Sequence, residues 1–185
     1  DTHVYAGDTY TTDDLWHAAL VASSNKSIET LVTASGLSRQ QFIMRMNGKA
    51  RELGMTDTTF VDSTGLGDGN ISSASDIAIL LKDALAQEDI KDALLVKEWN
   101  LYSAERKKPH HMWNTDWLLL GWIPHTFPAV HGGKTGYTPS AGYNFAVELG
   151  DGVGHDIDVV ILGAPAHEDR FTAAKAMAEW AYQNY

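Results

Sequence analysis

Apolar positions recur at helical spacing through the first half of the chain and at alternate positions in the second. Leu15, Ala18, Ala19 and Ala22 fall at i, i+3, i+4 and i+7, which predicts an amphipathic helix. Thr12 is its expected N-cap, and Asp13 and Asp14 occupy a first turn where negative charge suits the helix dipole. A second helix is predicted from about Lys26 to Ala34, stopping near Gly36. Ser38 with Gln41 reads as a capping box. The stripe Phe42, Met46, Ala50, Leu53 follows it, and Gly54 is the expected stop. Ser73 with Asp76 opens a further helix carrying Ile77, Leu80, Leu81 and Leu85. The intervening residues 62–70 are rich in Gly and Asp and read as a loop.

The period then changes. Tyr143, Phe145, Val147 and Leu149 alternate with Asn144, Ala146 and Glu148, the pattern of a strand with one buried face. Gly150 to Gly154 reads as a turn and Ile157 to Leu162 as a second, more apolar strand, so an antiparallel hairpin is expected. The chain closes on a helix with Phe171, Ala174, Ala178 and Ala181 on one face. Helices first, a hairpin later and a covering helix at the end indicate an α+β domain. Residues 87–130 carry four of the six tryptophans and little periodicity; strands and loops are expected there.

Length and charge narrow the function. The 185 residues suit one domain with a sizeable core. A formal net charge of −10 argues against sequence-independent nucleic-acid binding, which needs cations to displace counterions. With no cysteine, disulfides and thiolate metal sites are excluded and the compartment is left open. The most apolar run, Trp117 to Ile123, falls short of the ~18 residues that span a bilayer. The chain opens on Asp1 without a signal peptide, so its N-terminus is read as cut. His110 and His111 are adjacent, and in a strand they would face opposite ways. His125, His131, His155 and His167 are scattered, so no metal site is expected from the three or four convergent ligands that zinc requires. The tryptophans read as core or groove wall rather than as a base-stacking platform.

Two short motifs carry candidate chemistry: Ser23-Ser24-Asn25 after the first helix, and Lys134-Thr135-Gly136 at the start of a strand-like stretch. Alone, each is weak, since Ser and Asn commonly occupy caps and turns. In this order they resemble the second and third motifs of the serine penicillin-recognising enzymes. The flanks extend the resemblance. Lys134-Thr-Gly-Tyr-Thr-Pro-Ser-Ala-Gly-Tyr143 is similar to the family's "KTGyT..AGy" stretch. Phe42, Met46-Asn47, Lys49-Ala50, Leu53-Gly54-Met55, Thr58, Phe60 and Gly65-Leu66 follow its "F…MN.kA..LGM..T.f…GL" pattern. Asn114-Thr115 with Leu118-Leu119 resembles "NtN.LL". Ile161 to Ala164, Arg170 and Trp180 resemble the closing strand and helix. The D-alanyl-D-alanine carboxypeptidase branch fits better than the β-lactamases.

The resemblance implies a penicillin-binding/β-lactamase-like fold, an antiparallel sheet with helices on both faces, with residues 1–185 forming the C-terminal part of one catalytic domain. It implies cofactor-free removal of the terminal D-alanine from a peptidoglycan stem peptide through an acyl-enzyme, outside the cytoplasmic membrane, with β-lactams as further ligands. Ser23 would relay a proton to the leaving amine. Lys134 would polarise Ser23 and add positive potential, and Asn25 would hold the substrate backbone. Thr135 would bond the terminal carboxylate, Gly136 would let the strand approach closely, and the Tyr137 N–H would be an oxyanion donor. Arg170 would be a second charge for the carboxylate, a surface arginine on the last helix being the competing reading.

One part of the pattern is missing. The family's nucleophile is the serine of an S-x-x-K motif well upstream, activated by the lysine one turn away. Only 22 residues precede Ser23, and none is serine or lysine. Ser23-Ser24-Asn25-Lys26 has that spacing, but the downstream match places Ser23 in the second motif; Lys26 departs from the family's usual Asp. The expectation is a nucleophile on a separate or cleaved N-terminal fragment, or on a segment missing from this sequence, because losing the preceding strands would open the core. The rival from another class is a non-catalytic peptidoglycan-peptide-binding or regulatory module, and a D,D-endopeptidase or β-lactamase is a variant within the enzyme class.

Overall fold

The computed structural model describes residues 4–185. Five helices come first: α1 (Thr12–Val21), α2 (Asn25–Ala34), α3 (Arg39–Glu52), α4 (Ala74–Leu85) and α5 (Glu88–Leu95). A hairpin of β1 (Glu98–Ser103) and β2 (Lys108–Trp113) and the short α6 (Trp117–Leu120) follow. The chain ends with β3 (Ala129–Thr138), β4 (Gly142–Gly150), β5 (Asp156–Ala164) and α7 (Asp169–Asn184).

The caps explain most boundaries. Ser38 and Gln41 form the expected capping box of α3, and Ser73 accepts the Asp76 amide to start α4. The N-cap of α1 is Thr11, one residue earlier than expected; its hydroxyl accepts from the Asp14 amide. Of the α3 stripe only Ala50 is buried, so most of that helix's apolar face lies half-covered.

Within residues 87–130 the structure departs from the expectation of strands and loops. The segment includes α5, whose Ile90, Ala93 and Leu94 have helical spacing but whose N-cap, Gln87, makes no side-chain cap bond. Without a Ser, Thr, Asp or Asn signal the helix start is hard to read. The other correction is β3, which begins five residues before Lys134 and places Lys134-Thr135-Gly136 inside the strand. Gly132 and Gly133 look like turn residues but serve close packing. A Cβ on Gly133 would stand 2.8 Å from the Ala146 carbonyl oxygen and 2.9 Å from Asp116 Oδ2. Gly132, at φ 142°, would place one 2.7 Å from Leu85 Cδ2.

β3, β4 and β5 form an antiparallel sheet in that order. Alternation along β4 sends Phe145, Val147 and Leu149 to one face, where Phe171, Ala174 and Ala178 of α7 cover them. Ala146 on the opposite face is also buried, against Leu81 and Leu85 of α4 and Leu94 of α5. Helices therefore lie on both faces, the layered α+β arrangement in which each element buries its apolar side against another. A separate cluster of Val4, Leu15, Ala18, Leu101 and Met112 joins α1 to the β1–β2 hairpin. No helix among the described residues is long and apolar enough to cross a membrane.

Candidate active site

Three residues, Ala22 to Ser24, join α1 to α2, and the turn is made by Ser23 adopting φ 57°. A non-glycine residue in the left-handed region costs about 1–2 kcal/mol. Helix C-terminal turns usually use glycine there. The Ser24 amide donates to the Ala18 carbonyl, and the buried Ser24 hydroxyl accepts from the Ser27 amide as the N-cap of α2. Ser23 is thus left exposed at the helix junction, and Asn25 is the first, half-buried residue of α2.

The Lys134 ammonium crosses from β3 to this junction. It donates to Ser23 Oγ at 2.7 Å and to the Thr135 carbonyl at 3.1 Å. Desolvation, reinforced by the Arg170 charge and opposed by Asp116, pulls its pKa down to about 8. Lys26 instead donates to the Val4 carbonyl at 3.0 Å.

The neighbouring positions of β3 are held from two sides. The Thr135 hydroxyl donates to Thr115 Oγ1 at 2.7 Å. Gly136 offers its carbonyl to Arg170 Nη1 at 3.2 Å, and Arg170 Nη2 lies 2.8 Å from His167 Nε2. Arg170 is buried, which removes the reading of a solvated surface arginine. A cation in the first turn of a helix opposes the dipole, so these partners and the Tyr143 and Phe171 rings 5.4 and 4.7 Å away fix its place. Tyr137 stacks on Tyr143 at 4.3 Å and is half-exposed.

Two residues without a sequence-assigned role stand behind this strand. Thr115 belongs to the recognised Asn114-Thr115 element, but its bond to Thr135 spans 20 residues and leaves no local pattern. Asp116 is nearly inaccessible; its Oδ1 accepts the Leu118 and Leu119 amides and caps α6, while Oδ2 has no partner. An Asp immediately before an apolar run is an N-cap signal that could have found it. Burial pushes its carboxyl from 3.8 up to about 6, against the pull of the two amides, His125 and Arg170. The folded carboxyl holds its proton at pH values where the unfolded one has lost it, so stability falls as pH rises from about 4 to about 6 and stays lower above. Asp116→Asn keeps the cap and removes the charge. It is expected to stabilise the fold by about 1–3 kcal/mol near neutral pH and hardly at all near pH 4. Thermal melts at the two pH values check this; equal shifts would exclude ionisation as the cause.

Among the described residues, His131, Glu148 and Asp156 bring ligand atoms within 4.8 Å of one another, on adjacent strands. His131 Nε2 is already paired with Asp156 Oδ1 at 2.9 Å, and none of the three belongs to the cluster around Lys134.

Comparison with known proteins agrees with this architecture. Residues 2–166 match the family described as D-alanyl-D-alanine carboxypeptidase. A D-alanyl-D-alanine endopeptidase of Haemophilus influenzae is 39% identical over 132 residues, covering 71% of this chain and 43% of that protein. The D-alanyl-D-alanine carboxypeptidase DacF of Bacillus subtilis is 31% identical over 182 residues, covering 97% of this chain and 44% of that protein. The chain therefore spans less than half the length of these relatives. A penicillin-binding protein of Listeria monocytogenes, solved in a cefotaxime-bound form, superposes with a TM-score of 0.78 at 27% identity, over 94% of this chain and 67% of that one. By the family match over most of its length, and by a sheet and helices arranged as in penicillin-binding proteins, the chain belongs to the D-alanyl-D-alanine carboxypeptidase family.

Proposed function

We propose that this chain supplies the accessory half of a serine D-alanyl-D-alanine carboxypeptidase site, acting on peptidoglycan stem peptides outside the cytoplasmic membrane. The observation that carries the reading is the 2.7 Å contact between Lys134 Nζ and Ser23 Oγ, residues 111 positions apart. The nucleophilic serine attacks the penultimate carbonyl, and its proton passes to the leaving amine as the acyl-enzyme forms. In the proposed relay Ser23 hands its hydroxyl proton to that amine and recovers one from the Lys134 ammonium, and the proton given up by the nucleophile restores Lys134, so one proton leaves the serine and one reaches the amine. A lysine with a pKa near 8 exchanges protons easily at such a pH. Asn25 holds the peptide backbone, Thr135 and Arg170 serve its terminal carboxylate, and the Tyr137 amide is an oxyanion donor. A Cβ on Gly136 would meet only Asn144 Cβ, at 3.8 Å, so packing does not demand glycine there; room for a ligand does.

The nucleophile is assigned to a missing or separate N-terminal segment. In support, β5 is an unpaired sheet edge among the described strands, with Leu162 exposed on it and Met177 and Trp180 exposed on α7. An open edge of this kind is a template for another strand. A second reading, endopeptidase action on cross-links, is favoured by the name of the Haemophilus influenzae relative. Product analysis on cross-linked and uncross-linked peptides separates the two.

Denaturing intact-mass spectrometry with and without penicillin tests the assignment. A penicillin adduct on a segment outside these 185 residues, whether joined to them or carried by a second polypeptide, is the expected result. An adduct on the 185-residue chain would make Ser23 the nucleophile and Lys26 its base. No adduct at all would leave a peptide-binding module without catalysis.

A further inference from the structure

Thr115 sits where the two halves of the proposed site meet. Its backbone N–H donates to the Val21 carbonyl at 3.0 Å, at the end of α1 and two residues before Ser23. Its hydroxyl accepts from Thr135 of β3 at 2.7 Å. The preceding residue anchors it: Asn114 Nδ2 donates to the Leu94 and Val96 carbonyls at the end of α5. One half-buried residue thus ties the helix junction that presents Ser23 to the strand that presents Lys134.

We infer that Thr115 is a positioning residue that turns the Thr135 hydroxyl into a proton donor toward the substrate, selecting peptides with a free C-terminal carboxylate. The inference rests on the reading of the site given above. In the structure Thr135 spends its single hydroxyl proton on Thr115. A carboxylate has acceptors only, so Thr135 must aim that proton at it. Thr115 can then donate its own proton to the Thr135 oxygen. The bond between the two hydroxyls reverses direction and is not lost, and each bond polarises the next. A C-terminal amide offers N–H donors as well as an oxygen and does not depend on this reversal.

The test is isothermal titration of the protein that includes the nucleophile segment, its nucleophilic serine changed to alanine to prevent turnover, with an N-acylated Lys-D-Ala-D-Ala peptide and with its C-terminal amide. With Thr115 intact, this protein is expected to prefer the free acid. Thr115→Val, which keeps the N–H to Val21, should weaken acid binding about 3- to 10-fold and leave the amide nearly unchanged. Thr115→Ser should restore the preference. Thr115→Ala, with no added bulk, must reproduce the change seen for valine if valine disturbs folding. An unchanged acid-to-amide ratio in the hydroxyl-free variants, or equal weakening of both peptides, overturns the role of Thr115 while leaving the site standing. If the protein with Thr115 intact binds neither peptide, the reading of the site itself fails.

Discussion

Replacing Lys134 by methionine lowers penicillin acylation by about 10²- to 10⁴-fold in the protein that includes the nucleophile, the span typical of losing a positioned proton-transfer group. Methionine keeps the apolar length of the stem and removes the ammonium, so the 2.7 Å donation to Ser23 disappears while the strand stays packed. The pH dependence gives a second signature. Desolvation and the Arg170 charge, partly offset by Asp116, put the lysine near pKa 8. Below that pH the ammonium is present and Ser23 has its proton source; as pH rises through about 8 the proton is lost and the rate declines. The methionine variant lacks this alkaline limb. Acylation rates by mass spectrometry across the neutral and alkaline range measure both effects. A variant within about threefold of the unaltered rate, with the same limb, would remove Lys134 from the relay.

Phe171→Ala is expected to cost about 3–5 kcal/mol of stability, the usual penalty for an aromatic truncated in a closed core. Phe171 is completely buried, stacks with Trp117 at 5.6 Å and meets Phe145 edge-on at 4.9 Å. That loss is a large share of a typical domain's about 5–15 kcal/mol. The damage reaches the site, because the adjacent Arg170 holds the Gly136 carbonyl. A fall in the urea midpoint at constant m-value is the expected readout. A penalty below about 1 kcal/mol would mean that α7 is not a core element.

Much of the scaffold was legible because its signals are local. A capping box needs only Ser38 and Gln41, and the face of β4 needs only every second residue from Tyr143 to Leu149. Helix α5 escaped because Gln87 caps nothing, and the start of β3 escaped because Gly132 and Gly133 imitate a turn. Their reason is a neighbour: Leu85 against Gly132, and Asp116 with the Ala146 carbonyl against Gly133. The candidate site divides in the same way. Ser23, Asn25 and the Lys134-Thr135-Gly136 triplet could be picked out by type and order. Arg170 could be read from sequence as either a surface or a site residue, and its burial removes the surface reading.

The sequence alone determined the element types, the alternation that gives the sheet its buried faces, and the family to which the motifs point, because these depend on residues close together in the chain. Only the tertiary structure decided that Ser23 and Lys134 touch, that Thr115 bridges their two elements, and that Asp116 is buried enough to hold its proton to about pH 6. Contacts across 111 and 20 residues, and the loss of water around a carboxylate, are set by which surfaces pack together. Desolvation is a property of the packed surroundings, so no residue carries it in its own chemistry.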